Sequence, residues 1–329
     1  MTQIATGVFK TLIAKKQTGI GVKAVATIPY GQLFRRVTST IDLKKATYQS
    51  KEIRPTMQRS DMRHGVRSVE GTISGELSLG TYQDFMASVL RQAWATTSPT
   101  TAMALTIGGV LGAYTITRAT GWIAEGYKIG DVIQLSVGGL HANNISKNLL
   151  ITALTATMAT VATVNGSVMN TEGPISGCTV TVMGKKNWIP ASGHTRDYWT
   201  IEHNFADITQ SEQFTDCVFG DVNIKLQASG MATIDFPVKG IDMATSTATY
   251  FATPTAATSG AVLAAVNGAL YVAGVAVGYI SSFDLSIKGN HTTVGGVVGS
   301  NVEPDIFPGA IDVTGTATVM FTNATMRDM

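Results

Sequence analysis

Charge is scarce in this chain. Asp, Glu, Lys and Arg make up 14% of its 329 residues, against roughly 25% in an ordinary soluble domain. A chain this poor in charge often hides much of its surface against partners. Cysteine is nearly missing: Cys178 and Cys217 stand alone, with no CxxC pair. That argues against a zinc site and leaves two free thiols as the expectation. The five histidines, at 64, 141, 194, 203 and 291, lie apart, and none flanks a nucleophile motif. No secretory leader is visible, because Lys10, Lys15 and Lys16 interrupt the apolar residues of Met1–Gly21. Residues 243–283 carry no charge, yet Pro254, Asn267-Gly268, Gly274 and Gly278 break them. A buried β-hairpin fits that stretch better than a membrane helix.

Catalytic and ligand motifs are missing as well. Gly295-Gly296-Val297-Val298-Gly299 lacks the Lys and the following helix of a phosphate loop. Gly19-Ile20-Gly21 is half a dinucleotide fingerprint without a βαβ unit around it. Asn290-His291-Thr292 matches a glycosylation acceptor without a secretion signal to support it. Asp207, Glu212, Asp216 and Asp221 do not have the spacing of a calcium loop. The expectation is a protein with no catalytic, cofactor or metal residues, and not an enzyme.

What the chain does have is period-2 alternation. Val69, Ile73, Leu77 and Leu79 share a parity against Glu70, Thr72, Ser74, Glu76 and Ser78. Val222, Ile224 and Leu226 do so, and the parity runs on through Ala232, Ile234 and Phe236. So do Trp199, Ile201, His203 and Phe205; Phe283, Leu285 and Ile287; and Val313, Ala317, Val319 and Phe321. Each reads as an antiparallel strand with one face on a core. One helix is expected at about 81–94. Thr81 with Asp84 resembles a capping box, and Tyr82, Phe85, Met86, Val89 and Leu90 make one apolar stripe.

Residues 101–190 read as a small β domain inserted into a larger one made of 1–100 and 191–329. They follow the linker-like Thr96–Thr100 and hold strands near 132–137, 149–154, 159–164 and 178–183, with an Asn165-Gly166 hairpin turn. Tyr48–Arg67 and Thr245–Gly260 read as long loops, uncommon without a function.

Charge is unevenly spread. Residues 1–100 hold fourteen Lys and Arg against six Asp and Glu, while 200–329 hold four against twelve. Arg35–Arg67 alone has nine basic and three acidic residues, with Tyr48 the only aromatic available for stacking. That favours a protein contact over nucleic-acid binding.

The run Ser50-Lys51-Glu52-Ile53-Arg54, Gln58-Arg59-Ser60-Asp61-Met62-Arg63-His64-Gly65-Val66-Arg67 and Gly71-Thr72-Ile73-Ser74-Gly75-Glu76-Leu77-Ser78 resembles tail-tube (major tail) proteins of long-tailed phages. The match continues through Thr81–Trp94, and Gly220-Asp221-Val222 and Val313–Thr316 look like closing strands. The resemblance implies a mainly β fold, an antiparallel β-sandwich or half-barrel with one flanking helix. It implies six copies joining sheets into rings that stack head-to-tail. The tube would sit in the virion, be made in the host bacterial cytoplasm, and meet other tail proteins at its ends. DNA would be non-specific cargo in the lumen, and no membrane would take part. On that basis Lys51, Arg54, Arg59, Asp61, Arg63 and Arg67 are the expected inter-subunit contact loop. Asp207, Glu212, Asp216, Asp221, Glu303 and Asp305 are the expected acidic counter-surface. The alternatives are a pilus- or secretion-tube-like subunit, or a carbohydrate-binding β-sandwich of a phage fibre.

Overall fold

The computed structural model describes residues 4–58, 60–96, 103–119, 121–136, 139–164, 166–267, 270–272, 275–277 and 280–320. The chain begins with strands β1 (Lys10–Lys16), β2 (Gln32–Phe34), β3 (Thr38–Ser39), β4 (Asp42–Gln49) and β5 (Met62–Glu76), followed by helix α1 (Gln83–Val89). Next come β6 (Ala95–Thr96), β7 (Met103–Val110), β8 (Ala113–Thr117), β9 (Val132–Ser136), β10 (Leu149–Leu154), β11 (Met158–Thr163), β12 (Glu172–Val182) and β13 (Lys185–Lys186). Then follow β14 (Trp199–Phe205), β15 (Gln210–Phe219), β16 (Asp221–Gln227), β17 (Thr233–Gly240), β18 (Asp242–Ser246), β19 (Leu270–Val272) and β20 (Val275–Val277). The last are β21 (Ile280–Lys288), β22 (Thr292–Thr293), β23 (Ile306–Phe307) and β24 (Asp312–Val319). Two compact units result. One is Met1–Ala93 with Ile189–Gly268 and Tyr279–Met329; the other is Trp94–Trp188 with Ala269–Gly278.

The first unit is one antiparallel sheet folded over its own core. One arm of the sheet runs β2-β1-β14-β15, with β18 on β15. The other runs β5-β17-β16-β21-β24, with β3 and β4 on the far side of β5. The strand β15 joins them, because its end at Val218–Phe219 pairs with Val238–Lys239 of β17. Between the arms sits Phe85 of α1. Its ring centroid lies 4.0 Å from Phe219, 4.4 Å from Phe34, 5.2 Å from Trp199 and 5.5 Å from Phe236. The expected apolar stripe is the packed one: Tyr82, Phe85 and Val89 are buried, with Met86 and Leu90 against the same core. Tyr82 also donates its hydroxyl to the Arg35 carbonyl at 2.6 Å. Gly75 leaves room for that ring, since a Cβ there would lie 1.7 Å from the hydroxyl.

The helix is shorter than 81–94. Thr81 does not cap it; its hydroxyl bonds those of Ser78 and Thr258, both at 2.6 Å. At the other end Arg91 takes φ 58, a left-handed conformation that stops the helix. Its guanidinium then reaches the Gly289 carbonyl at 2.9 Å.

The strand β14 also departs from expectation. Its alternation predicts an outward polar face, yet Thr200 and Glu202 are as buried as Ile201. A second small core of Ile13, Ala24 and Phe251 covers that side. Glu202 is satisfied there by donors: Ser211 Oγ at 2.6 Å, Tyr250 N at 2.6 Å and Phe251 N at 2.9 Å. A buried carboxylate survives only with such partners.

The second unit is a closed six-stranded antiparallel barrel, β10-β11-β8-β7-β12-β9, around Leu105, Ile116, Ile133, Leu135, Val161 and Val180. Strands β7 and β8 are not anticipated by the sequence pattern, and β12 is longer than the stretch expected at 178–183. Asn165 lies outside the described residues. The strands on either side of it, β11 and β12, do not pair with each other. Arg118 is buried, ion-paired to Glu125 at 3.0 Å and stacked 4.2 Å over Trp122. Cys178 lies in this core and Cys217 in that of the first unit, both free. The uncharged 243–283 stretch contributes the β19–β20 hairpin after the loop that follows β18.

Replacing Phe85 with Ala removes the ring on which five others pack. The expected loss is about 3–5 kcal/mol of stability. It is read as a lower urea midpoint for the unfolding of the first unit.

Candidate assembly surface

The residues expected to form a contact loop lie on a hairpin arm. The strands β4 and β5 pair from Asp42↔Glu70 to Gln49↔Met62, with a bulge between Lys45 and Thr47. Only about 50–61 is loop. Lys51 and Arg54 stand on that tip, Asp61 at its foot, and Arg63 and Arg67 on β5 itself; Arg59 lies outside the described residues. The stretch reads as loop because most of the arm's side chains face solvent, so no apolar parity marks the strands. Its charges pair locally: Arg54 with Glu52 at 3.1 Å and Arg63 with Asp61 at 2.7 Å. Arg67 pairs with Asp242 at 3.1 Å. The Arg63 hydrogen bond holds the Asp61 carboxyl below its ordinary value.

The six expected acidic residues are not equivalent. Asp216 is 7% exposed and accepts from Gly21 N at 2.7 Å and Gln17 Nε2 at 3.2 Å. Asp221 accepts from Gly289 N at 2.9 Å. Asp305 holds Arg196 at 2.9 Å and the Tyr198 hydroxyl at 2.8 Å. These three brace the subunit's own fold. Asp207 accepts from Thr6 N at 2.6 Å. Glu212 lies 3.5 Å from Nδ1 of the buried His203, whose pKa burial pushes down. Glu303 has one carboxylate oxygen with no partner among the described residues.

Two features depart from the sequence reading. The first is the edge strand β24: its alternation predicts one face on a core, but both of its faces are exposed. It pairs with β21 from Ile280↔Val319 to Lys288↔Asp312, and no described strand pairs with its other edge. All eight residues are exposed, Val313 at 55% and Val319 at 36%. Residues 313–319 carry no charge and no proline to guard that edge. A bare edge of this kind is a template for pairing. The only sequence signal is this lack of guards. On the far side of the same sheet arm β4 carries Lys44 and Lys45.

The second is a polar sheet face. Cross-strand rows place Ser74, Asp235, Asn223, Ser286 and Thr314 in line, and Glu76, Thr233, Lys225, Asp284 and Thr316 beside them. The opposite face presents Ile73, Ile234, Phe236, Val222 and Ile287 to the core. Over the five strands the polar face holds Glu70, Glu76, Asp221, Asp235, Asp284 and Asp312 against Lys225, Lys239 and Lys288. It is therefore acidic on balance.

A strap, 289–309, closes the end of this arm. Lys239 Nζ donates to the His291 carbonyl at 2.6 Å, and Arg67 N to the Asn301 carbonyl at 2.8 Å. Asn290 of the possible glycosylation triplet is engaged by Ala310 O and Asp312. His291 packs against Gly220 and Gly289. Burial, with Arg91, Lys239 and Arg196 nearby and Asp221 opposing, pushes its pKa down to about 4. Among the described residues no group of three or more His, Cys, Asp or Glu is placed to hold a metal. No helix among them is long and apolar enough to cross a membrane.

A β-rich unit with a bare edge, a polar sheet face and a projecting arm has the features of a subunit built for assembly. The family model for phage tail tube proteins matches residues 10–329, and the chain belongs to that family. It is a structural subunit of a phage tail tube, and its place is the virion. No curated protein matches it.

The His291 shift sets a pH dependence. The unfolded chain takes up this proton near 6.5 and the folded chain near 4. Between those values the unfolded state binds more protons, so stability falls as pH falls through that window. A His291→Gln variant is expected to lose less stability than the parent between pH 7 and pH 4.5, measured by urea unfolding at both.

Proposed function

We propose that six copies close into a ring by joining their sheets edge to edge, and that rings stack head-to-tail into a tube that conducts DNA. The observation that carries this reading is the unguarded edge of β24. Its natural complement is the other end of the same sheet arm, at β3 and β4 of the next copy. Unlike edges meeting through a rotation give a heterologous contact that closes on itself. Closure also removes the free edges of that arm.

The polar face then becomes the inner wall. Carboxylates outnumber amines on it, which suits a channel along which DNA slides, because phosphate binding needs Lys or Arg. Of the acidic residues, Asp207, Glu212 and Glu303 are the better candidates to meet Lys51, Arg54, Arg59, Arg63 and Arg67 of a neighbour. Asp216, Asp221 and Asp305 already serve the fold. The barrel has its own core, and we take it as an insertion at about 101–190 into the tube domain. Other tail proteins meet the tube at its ends.

The test is to guard the edge. Ala317→Lys with Val319→Lys adds charge to exposed positions, so the subunit still folds. Native mass spectrometry is expected to find rings for the parent and monomers for the variant. Rings of unchanged size in the variant would exclude β24 as the joining strand.

A further inference from the structure

The arm and the strap enclose a groove. Tyr48, His64, Gly65 and Val66 form one side, and residues 296–301 the other, around a volume of about 680 Å³. That lies within the roughly 300–1,000 Å³ of common binding clefts. Its shape depends on two glycines. A Cβ on Gly65 would lie 2.4 Å from the Tyr48 ring, and one on Gly296 would lie 2.4 Å from Val66 Cγ2. The ring therefore lies flat on the arm and the strap approaches it closely. The rim is apolar and open, with Tyr48 58%, Val297 48% and Val298 107% exposed.

The tip of the same arm carries the complement. Ile53 and Met57 are both 99% exposed. Met57 is held out by a left-handed backbone, φ 56, and donates its N–H to the Arg54 carbonyl at 3.0 Å. Two large apolar side chains left wholly in water on a short turn are costly unless a partner covers them. The charges match as well. The tip holds Lys51, and Arg54 paired with Glu52, and the strap next to the groove holds Glu303, with its unpartnered carboxylate oxygen.

We propose that the arm tip of one copy seats Ile53 and Met57 in the groove of the adjacent copy in the same ring, with Lys51 or Arg54 facing Glu303. Tip and groove lie at the same end of the arm, since Tyr48 and His64 sit just below the last pair, Gln49↔Met62. Copies related by rotation about the ring axis keep that level, so a neighbour's groove lies at the same height as the tip. This inference rests on the ring reading above and gives the arm its partner: a second copy of this chain.

The test is a mixed cross-link in the full-length protein. Ile53→Cys and Val298→Cys proteins are made separately, mixed in equal amounts, assembled and oxidised. Both positions are exposed, and the native Cys178 and Cys217 are buried. The expected product is a covalent dimer of the two variants, at least tenfold above either variant alone. An Ile53→Ser/Met57→Ser protein should form rings at least tenfold more slowly than the parent, by light scattering. Rings by negative stain without the mixed dimer, or undiminished assembly of the double variant, would overturn the docking while leaving the ring reading intact. A protein that stays monomeric at high concentration would overturn both.

Discussion

Backbone N–H and C=O groups must be paired, with protein or with water, and β24 leaves one whole edge of them to solvent. The rest of the tube domain is arranged around that constraint. The strand hangs from β21 at the end of the sheet arm, beyond the reach of the aromatic core around Phe85. Nothing in the subunit covers Val313, Ala317 or Val319 among the described residues. The strands β5, β17, β16 and β21 of the arm each bury at least one residue. A lone edge strand without burial is weakly held in isolation.

The opposite layer shows how the subunit resists the same hazard elsewhere. The strand β2 is covered along its outer edge by the segment at Thr255, through Leu33 N to Thr255 O at 3.0 Å. Behind β14, Glu202 and the turn at Tyr250–Phe251 knit the loops at 17–30 and 244–256 onto the sheet. The β2 edge is thus covered, whereas no described strand covers the outer edge of β24.

Much of this was legible in the residues. The parity of Val222, Ile224, Ile234, Phe236 and Ile287 marks strands with one face on a core, and the stripe Tyr82–Phe85–Val89 marks the helix. The resemblance carried by Ser50–Ser78 points to the family. What stayed hidden depends on contacts distant in sequence. Thr81 looks like a cap until Thr258, 177 residues later, takes its hydroxyl. The helix stops where Arg91 turns to Gly289. Thr200 and Glu202 look like an outer face because the loops that bury them carry no mark of doing so. The arm looks like loop because the exposed residues of β4 are mostly polar and carry no apolar alternation.

The central claim is that the outer edge of β24 pairs with a neighbouring copy. Hydrogen–deuterium exchange, read residue by residue over 312–319, tests it most directly. The account predicts that backbone amides facing away from β21 exchange at least a hundredfold more slowly in assembled protein than in dissociated subunits, while those bonded to β21 change less. Equal, fast exchange of the outward amides in both states would contradict it.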